Sequence, residues 1–159
     1  MIGNNWFECK VSTEKTVEGG MSKKFNESYI VEALNFTDAE ARIIREVAPF
    51  CNGALEIKNI TPAKISELFI NDDDNADKWY KVKYNDIEID EKTQTEKRTS
   101  RIILVQAANF RGALDRFDEG MKGSMADYEV AAIQETALLD VFPFAANDYN
   151  TTKPTDTAE

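Results

Sequence analysis

Apolar and polar residues alternate in period two over about residues 5–12 and again over about 78–89. In the second run Tyr80, Val82 and Tyr84 take one side and Trp79, Lys81 and Lys83 the other, the pattern of a strand covered on one face. A further alternating run follows each, at about 25–35 and 96–108, and both lead into an Asn-Phe pair. There the period becomes helical. Ala41, Ile44 and Ala48 form a stripe that Pro49 stops, with Thr37 and Glu40 spaced as a capping box and Phe36 in the staple position. Ala113, Leu114 and Phe117 form the later stripe, with Gly120 or Gly123 to end it. Short strands at about 54–60 and 63–70, then 127–133 and 136–142, complete the pattern. "TEKTVEGGMSKK" and "IDEKTQTEKR" read as long hairpin loops, the first with Gly19 and Gly20 available for positive φ.

The same order of elements occurs twice, and so do many of the residues. Tyr29 to Ile43 aligns with Ile103 to Phe117 at an offset of 103 − 29 = 74. The identities are Val31 with Val105, Ala33 with Ala107, Asn35 with Asn109, Phe36 with Phe110, Ala39 with Ala113 and Arg42 with Arg116. "WFECKV" meets "WYKVKY" at 79 − 6 = 73, and "LEIKNITPAKISELF" meets "YEVAAIQETALLDVF" at 128 − 55 = 73. Three blocks at nearly one offset predict a tandem duplication of a ββαββ unit. The fold class is α+β, a mainly antiparallel sheet with two helices on one face and a pseudo-twofold between the copies. The expected boundaries are 1–70 for the first repeat, 71–77 for an acidic linker, 78–144 for the second repeat and 145–159 for a disordered tail.

Composition narrows the chemistry. Lys and Arg number 19 against 29 Asp and Glu, a net charge of −10, so any nucleic-acid site must be a local basic patch. There is no basic-then-apolar leader and no apolar stretch of spanning length, from which a cytoplasmic protein is expected. Cys9 and Cys51 lack metal spacing and read as reduced thiols, Cys9 on the core side with Phe7 and Val11. The chain has no His, which removes the commonest general base and metal ligand, so no enzyme, cofactor or metal is expected. The carboxylates Asp72, Asp74 and Asp77 lack the Gly and the final Glu of a calcium loop. "EGMKGSM" follows a helix, where a phosphate loop precedes one.

The motifs "NWFECKV", "ESYIVEALNFTDAEARI", "ADKWYKVKY", "LVQAANFRGALDRFDEGMKGSMADYEVAAIQET" and "DVFPF" together resemble a family of small acidic proteins of unknown function from Bacteroidota and their phages. The resemblance spans nearly the whole chain before the tail. It implies a bacterial or phage-infected cell and brings no catalytic or binding residues with it.

Strand alternation puts Trp79, Lys81, Lys83 and Arg98 on the face away from the helices, with Trp6, Glu8 and Lys10 as the weaker version in the first copy. A flat aromatic among cations is what single-stranded nucleic acid prefers, so a non-enzymatic module binding single-stranded DNA is the leading expectation. The bland reading is that matched Trp residues are core and strand lysines a solvated face. A protein-interaction or inhibitory protein is the alternative, and a small-ligand binder at the repeat interface the third.

Overall fold

A computed structural model describes residues 5–124 and 127–144 of the chain. Along the sequence run β1 (Trp6–Thr16), β2 (Ser22–Glu32), α1 (Phe36–Val47), β3 (Leu55–Ala63) and β4 (Glu67–Phe69). The order then repeats as β5 (Lys78–Asp90), β6 (Thr95–Ala107), α2 (Phe110–Met121), β7 (Asp127–Glu135) and β8 (Leu138–Phe142). The fold is α+β, with two mostly antiparallel four-stranded sheets ordered β3-β1-β2-β8 and β4-β6-β5-β7.

The last strand of each repeat thus lies in the sheet of the other. Among the described residues one compact unit comprises 5–63 with 140–144, and the other the residues from 64 to 139. Connection length explains the exchange. In the first sheet β3 and the place beside β2 are opposite edges, about 14 Å apart at the usual strand spacing. Three residues, Lys64 to Ser66, separate β3 from β4, and the four steps from Ala63 to Glu67 reach about 14 Å only if perfectly straight, which leaves no length to pass over β1 and β2 to that place. It pairs instead in parallel with β6, Phe69 opposite Val105. Similarity between repeats identifies a strand but not its partner, which is why boundaries at 70 and 144 do not delimit the units.

Each sheet packs one face on its helix. In the first unit Phe7, Cys9 and Val11 meet Val31, Ala33, Ala39, Ile43 and Val47. In the second, Tyr80, Val82 and Tyr84 meet Ile103, Val105, Ala107, Ala113 and Phe117. The recurring alanines, all at most 1% exposed, leave room for the helix backbone to approach the sheet. Cys9 is buried and free, and burial pushes its thiol up to about 12.

The Asn-Phe identity has a local cause. Asn35 Oδ1 accepts from Asp38 N at 2.9 Å and Asn109 Oδ1 from Gly112 N at 2.8 Å, so the asparagines are the N-caps and the phenylalanines the first helical residues. The capping box expected from Thr37 and Glu40 is therefore two residues late. Asp38 completes the cap by accepting from Leu34 N at 2.8 Å. Phe36 and Phe110 pack on the matched strand aromatics Phe7 and Tyr80, with ring centroids 5.0 and 5.1 Å apart.

Arg42 and Arg116 hold the exchanged strands. Arg42 Nη2 donates to Pro143 O at 3.1 Å and Phe142 O at 3.4 Å, while Arg116 Nε donates to Ile70 O at 2.9 Å. Pro143 and Ile70 are themselves matched, since 143 − 70 = 73. Gly120 lies within α2, where a Cβ would sit 2.5 Å from the Phe69 ring, and Gly123 takes φ +90° just beyond the helix. The hairpin loops are shorter than expected. Pairing continues to Thr16 opposite Ser22 and Asp90 opposite Thr95, because β-branched residues such as Thr13, Thr16, Ile87, Ile89 and Thr99 carry the strands on as two-stranded ribbons. The tail at 145–159 lies outside the described residues.

Candidate nucleic-acid interface

Tyr80, Val82 and Tyr84 face α2, so the intervening side chains of β5 project from the opposite face. On that face Trp79 stands opposite Gln106, Lys81 opposite Leu104, Lys83 opposite Ile102, Asn85 opposite Ser100 and Ile87 opposite Arg98. The alternation expected from sequence is therefore present, but the four candidate residues do not form one platform.

Trp79 is 3% exposed, and its cross-strand diagonal neighbour Leu104 is 1% exposed. Its carbonyl accepts from Thr136 N at 3.0 Å and Thr136 Oγ1 at 2.9 Å. An indole buried on this scale offers no ring to a base, so the expectation of Trp79 on an open face is corrected: its large apolar area is used in packing. Trp6 is likewise buried, at 5% exposed, with Nε1 unpartnered among the described residues. Arg98 is exposed but already engaged. Its Nη1 donates to Glu129 Oε1 at 2.7 Å and its Nε to Glu96 Oε1 at 3.1 Å, and these hydrogen bonds, Glu129 foremost, raise its pKa further above the ordinary range. It also lies about 13 Å along the strand from Lys83, four residues at strand rise.

Lys81 and Lys83 are exposed and ion-paired with no described residue. Lys83 lines a concavity of about 490 Å³ with Lys64, Ser66, Ser100, Arg101 and Ile102, and none of these residues is acidic. The Arg101 guanidinium turns to the helix-side face, where Nε donates to Asp86 Oδ2 at 2.5 Å. Ser66 is held beside β6 by donation from its N to Ile102 O at 2.7 Å. Lys64, Ser66 and Ser100 were not among the residues that strand alternation selected, since Lys64 and Ser66 arrive only through the parallel pairing of β4. What remains of the predicted surface is a lysine and serine cluster suited to phosphate oxygens rather than a stacking platform.

In the first unit Phe7, Cys9 and Val11 face α1, so Trp6, Glu8 and Lys10 project from the other face, opposite Glu32, Ile30 and Ser28. Lys10 is exposed and lines a concavity of about 330 Å³ with Asn26, Glu27, Ser28 and Lys58. The Glu27 carboxylate is turned to the helix side, where it accepts from Lys15 Nζ at 2.7 Å, Tyr29 Oη at 3.0 Å and Thr13 Oγ1 at 3.2 Å.

No group of three or more metal-ligating side chains occurs among the described residues. In the 71–77 segment the side chains cap their own turns instead: Asp73 N donates to Asn71 Oδ1 and Asn75 N to Asp73 Oδ1, each at 3.0 Å. Among the described residues no helix is long and apolar enough to cross a membrane.

Fold and surface together define a duplicated α+β protein with exchanged fourth strands and a lysine-bearing sheet face. Over residues 5–144 the chain matches the family described as Domain of unknown function (DUF4494), and it belongs to that family. No curated protein and no solved structure matches it.

Proposed function

We propose that the protein is a non-enzymatic nucleic-acid-binding module that holds single-stranded DNA by its phosphates across the open part of the second unit's sheet. The observation that carries this reading is the concavity lined by Lys64 and Lys83 with Ser66 and Ser100, with Lys81 two residues from Lys83 on the same strand face and none of the three lysines ion-paired to a described residue. A net charge of −10 favours a single strand over a duplex, because duplex DNA presents a charge about every 1.7 Å and demands a broad basic surface. With Trp79 buried, affinity comes from phosphate neutralisation without base stacking, so binding is sequence-tolerant and steeply salt-dependent. The chain's resemblance to proteins of Bacteroidota and their phages supports a cytoplasmic setting in such a cell.

Fluorescence anisotropy with a labelled oligo(dT) over a salt series tests the reading. Engagement of three lysines gives a slope of log affinity against log salt of about −2, and Lys83→Ala reduces its magnitude by about 0.7. Absence of salt-sensitive binding at micromolar protein overturns it in favour of a protein-interaction or inhibitory role. That second reading is supported by the half-exposed Phe36 and Ile44 on α1 and Phe110 and Leu114 on α2, set in an acidic surface.

A further inference from the structure

We infer that the chain carries two quasi-equivalent phosphate sites, one in each repeat, and that the site in the second unit is the stronger. The inference rests on the phosphate-binding reading of the concavity at Lys83. Lys83 and Lys10 hold the same place in the duplicated pattern, 83 − 10 = 73. Each also lies at a β-bulge. The pairing of β5 with β7 shifts register between Lys83 and Tyr84, and that of β1 with β3 between Lys10 and Val11. The extra residues, Ala131 and Lys58, keep the same offset, 131 − 58 = 73.

A bulge bends its strand and re-aims the neighbouring side chains, and here it does so beside a lysine in both copies. Both lysines border concavities with small polar residues: Lys83 with Ser66 and Ser100, Lys10 with Asn26 and Ser28. Two positions separate the copies in strength. Lys81 in the second unit corresponds to Glu8 in the first, 81 − 8 = 73, and each shares the face of its repeat's lysine. The second lysine of the first concavity, Lys58, is paired to Glu56 at 3.2 Å, whereas Lys64 in the other has no described partner. A charge of opposite sign about 7 Å away, two residues along a strand, changes the affinity for a multiply charged anion about tenfold at low ionic strength.

Titration of the full chain with pyrophosphate, followed by amide NMR shifts, reads both sites at once. The amides of Ser66, Lys83 and Ser100 shift first, and those of Lys10 and Ser28 at about tenfold higher concentration. Lys83→Ala abolishes the first set and spares the second; Lys10→Ala does the reverse. The inference is overturned if either set is silent, if both saturate together, or if the shifts ignore these substitutions. Its failure is distinct from that of the proposed function. Oligonucleotide binding at Lys83 with Lys10 and Ser28 silent removes the duplicated site alone, whereas two pyrophosphate sites without oligonucleotide binding remove the nucleic-acid function alone.

Discussion

The two units place the same kind of bulk in different layers. The first has Tyr29 on β2 and Ile43 on α1; the matched residues of the second are Ile103 on β6 and Phe117 on α2. The aromatic has moved from sheet to helix while the pair keeps one aromatic and one isoleucine, as a close-packed core requires when one member changes. The exchanged strands follow suit. Phe142 stacks on Tyr29 at 5.6 Å between ring centroids, whereas Phe69 meets Phe117 at 6.2 Å and presses against Gly120, whose counterpart in α1 is Glu46. Duplicated positions are thus held by tasks rather than residues: the N-capping Asn, the strand-holding Arg and the bulge persist, and the packing around them is renegotiated.

The arginines provide the largest test of that comparison. Arg42 is 4% exposed, bonded to two carbonyls and stacked over Phe144 at 5.0 Å, while Arg116 is half-buried, bonds one carbonyl and lies 5.3 Å from the Phe69 ring centre. Arg42→Ala is expected to lower unfolding free energy by about 3 kcal/mol and Arg116→Ala by about 1 kcal/mol, measured by urea denaturation. Equal losses contradict the unequal depth at which the two strands are held. Gly120→Ala sharpens the contrast. Substituting alanine within a helix is ordinarily favourable, but the clash with Phe69 reverses the sign, for a cost of about 2 kcal/mol. Glu46→Ala at the matched place in the first unit stays within about 0.5 kcal/mol.

Much of this architecture was legible because periodicity is a local property. The alternation of Tyr80, Val82 and Tyr84 marks the helix-facing side of β5, and Ala113 and Phe117 lie in the core as their stripe requires. Leu114 is exposed, however, and so are Ala41, Ile44 and Ala48 of the earlier stripe, because the buried face of α1 runs through Ala39, Ile43 and Val47 instead. The strand exchange was not legible, since Glu67 to Phe69 look alike whether they pair with β2 or β6. Burial of Trp79 was hidden for a related reason: alternation gives the side of a sheet and not what covers it. The engagement of Arg98 is not legible either, because its partner Glu129 arrives from β7, a neighbour that only the register reveals. Lys64 and Ser66 fall within the strand expected at about 63–70, but only Glu67 to Phe69 pair, and the neighbour that brings the preceding residues to Lys83 is β6, which the sequence does not specify.

The most direct test of the claim that one repeat has become the stronger phosphate site exchanges the residues that distinguish them. In the double variant Glu8→Lys, Lys81→Glu the net charge is unchanged and both positions lie on the faces away from the helices. In an amide NMR titration with pyrophosphate the order of saturation should invert, Lys10 and Ser28 shifting before Lys83 and Ser100. An unchanged order in a variant that retains the native spectrum elsewhere contradicts the account.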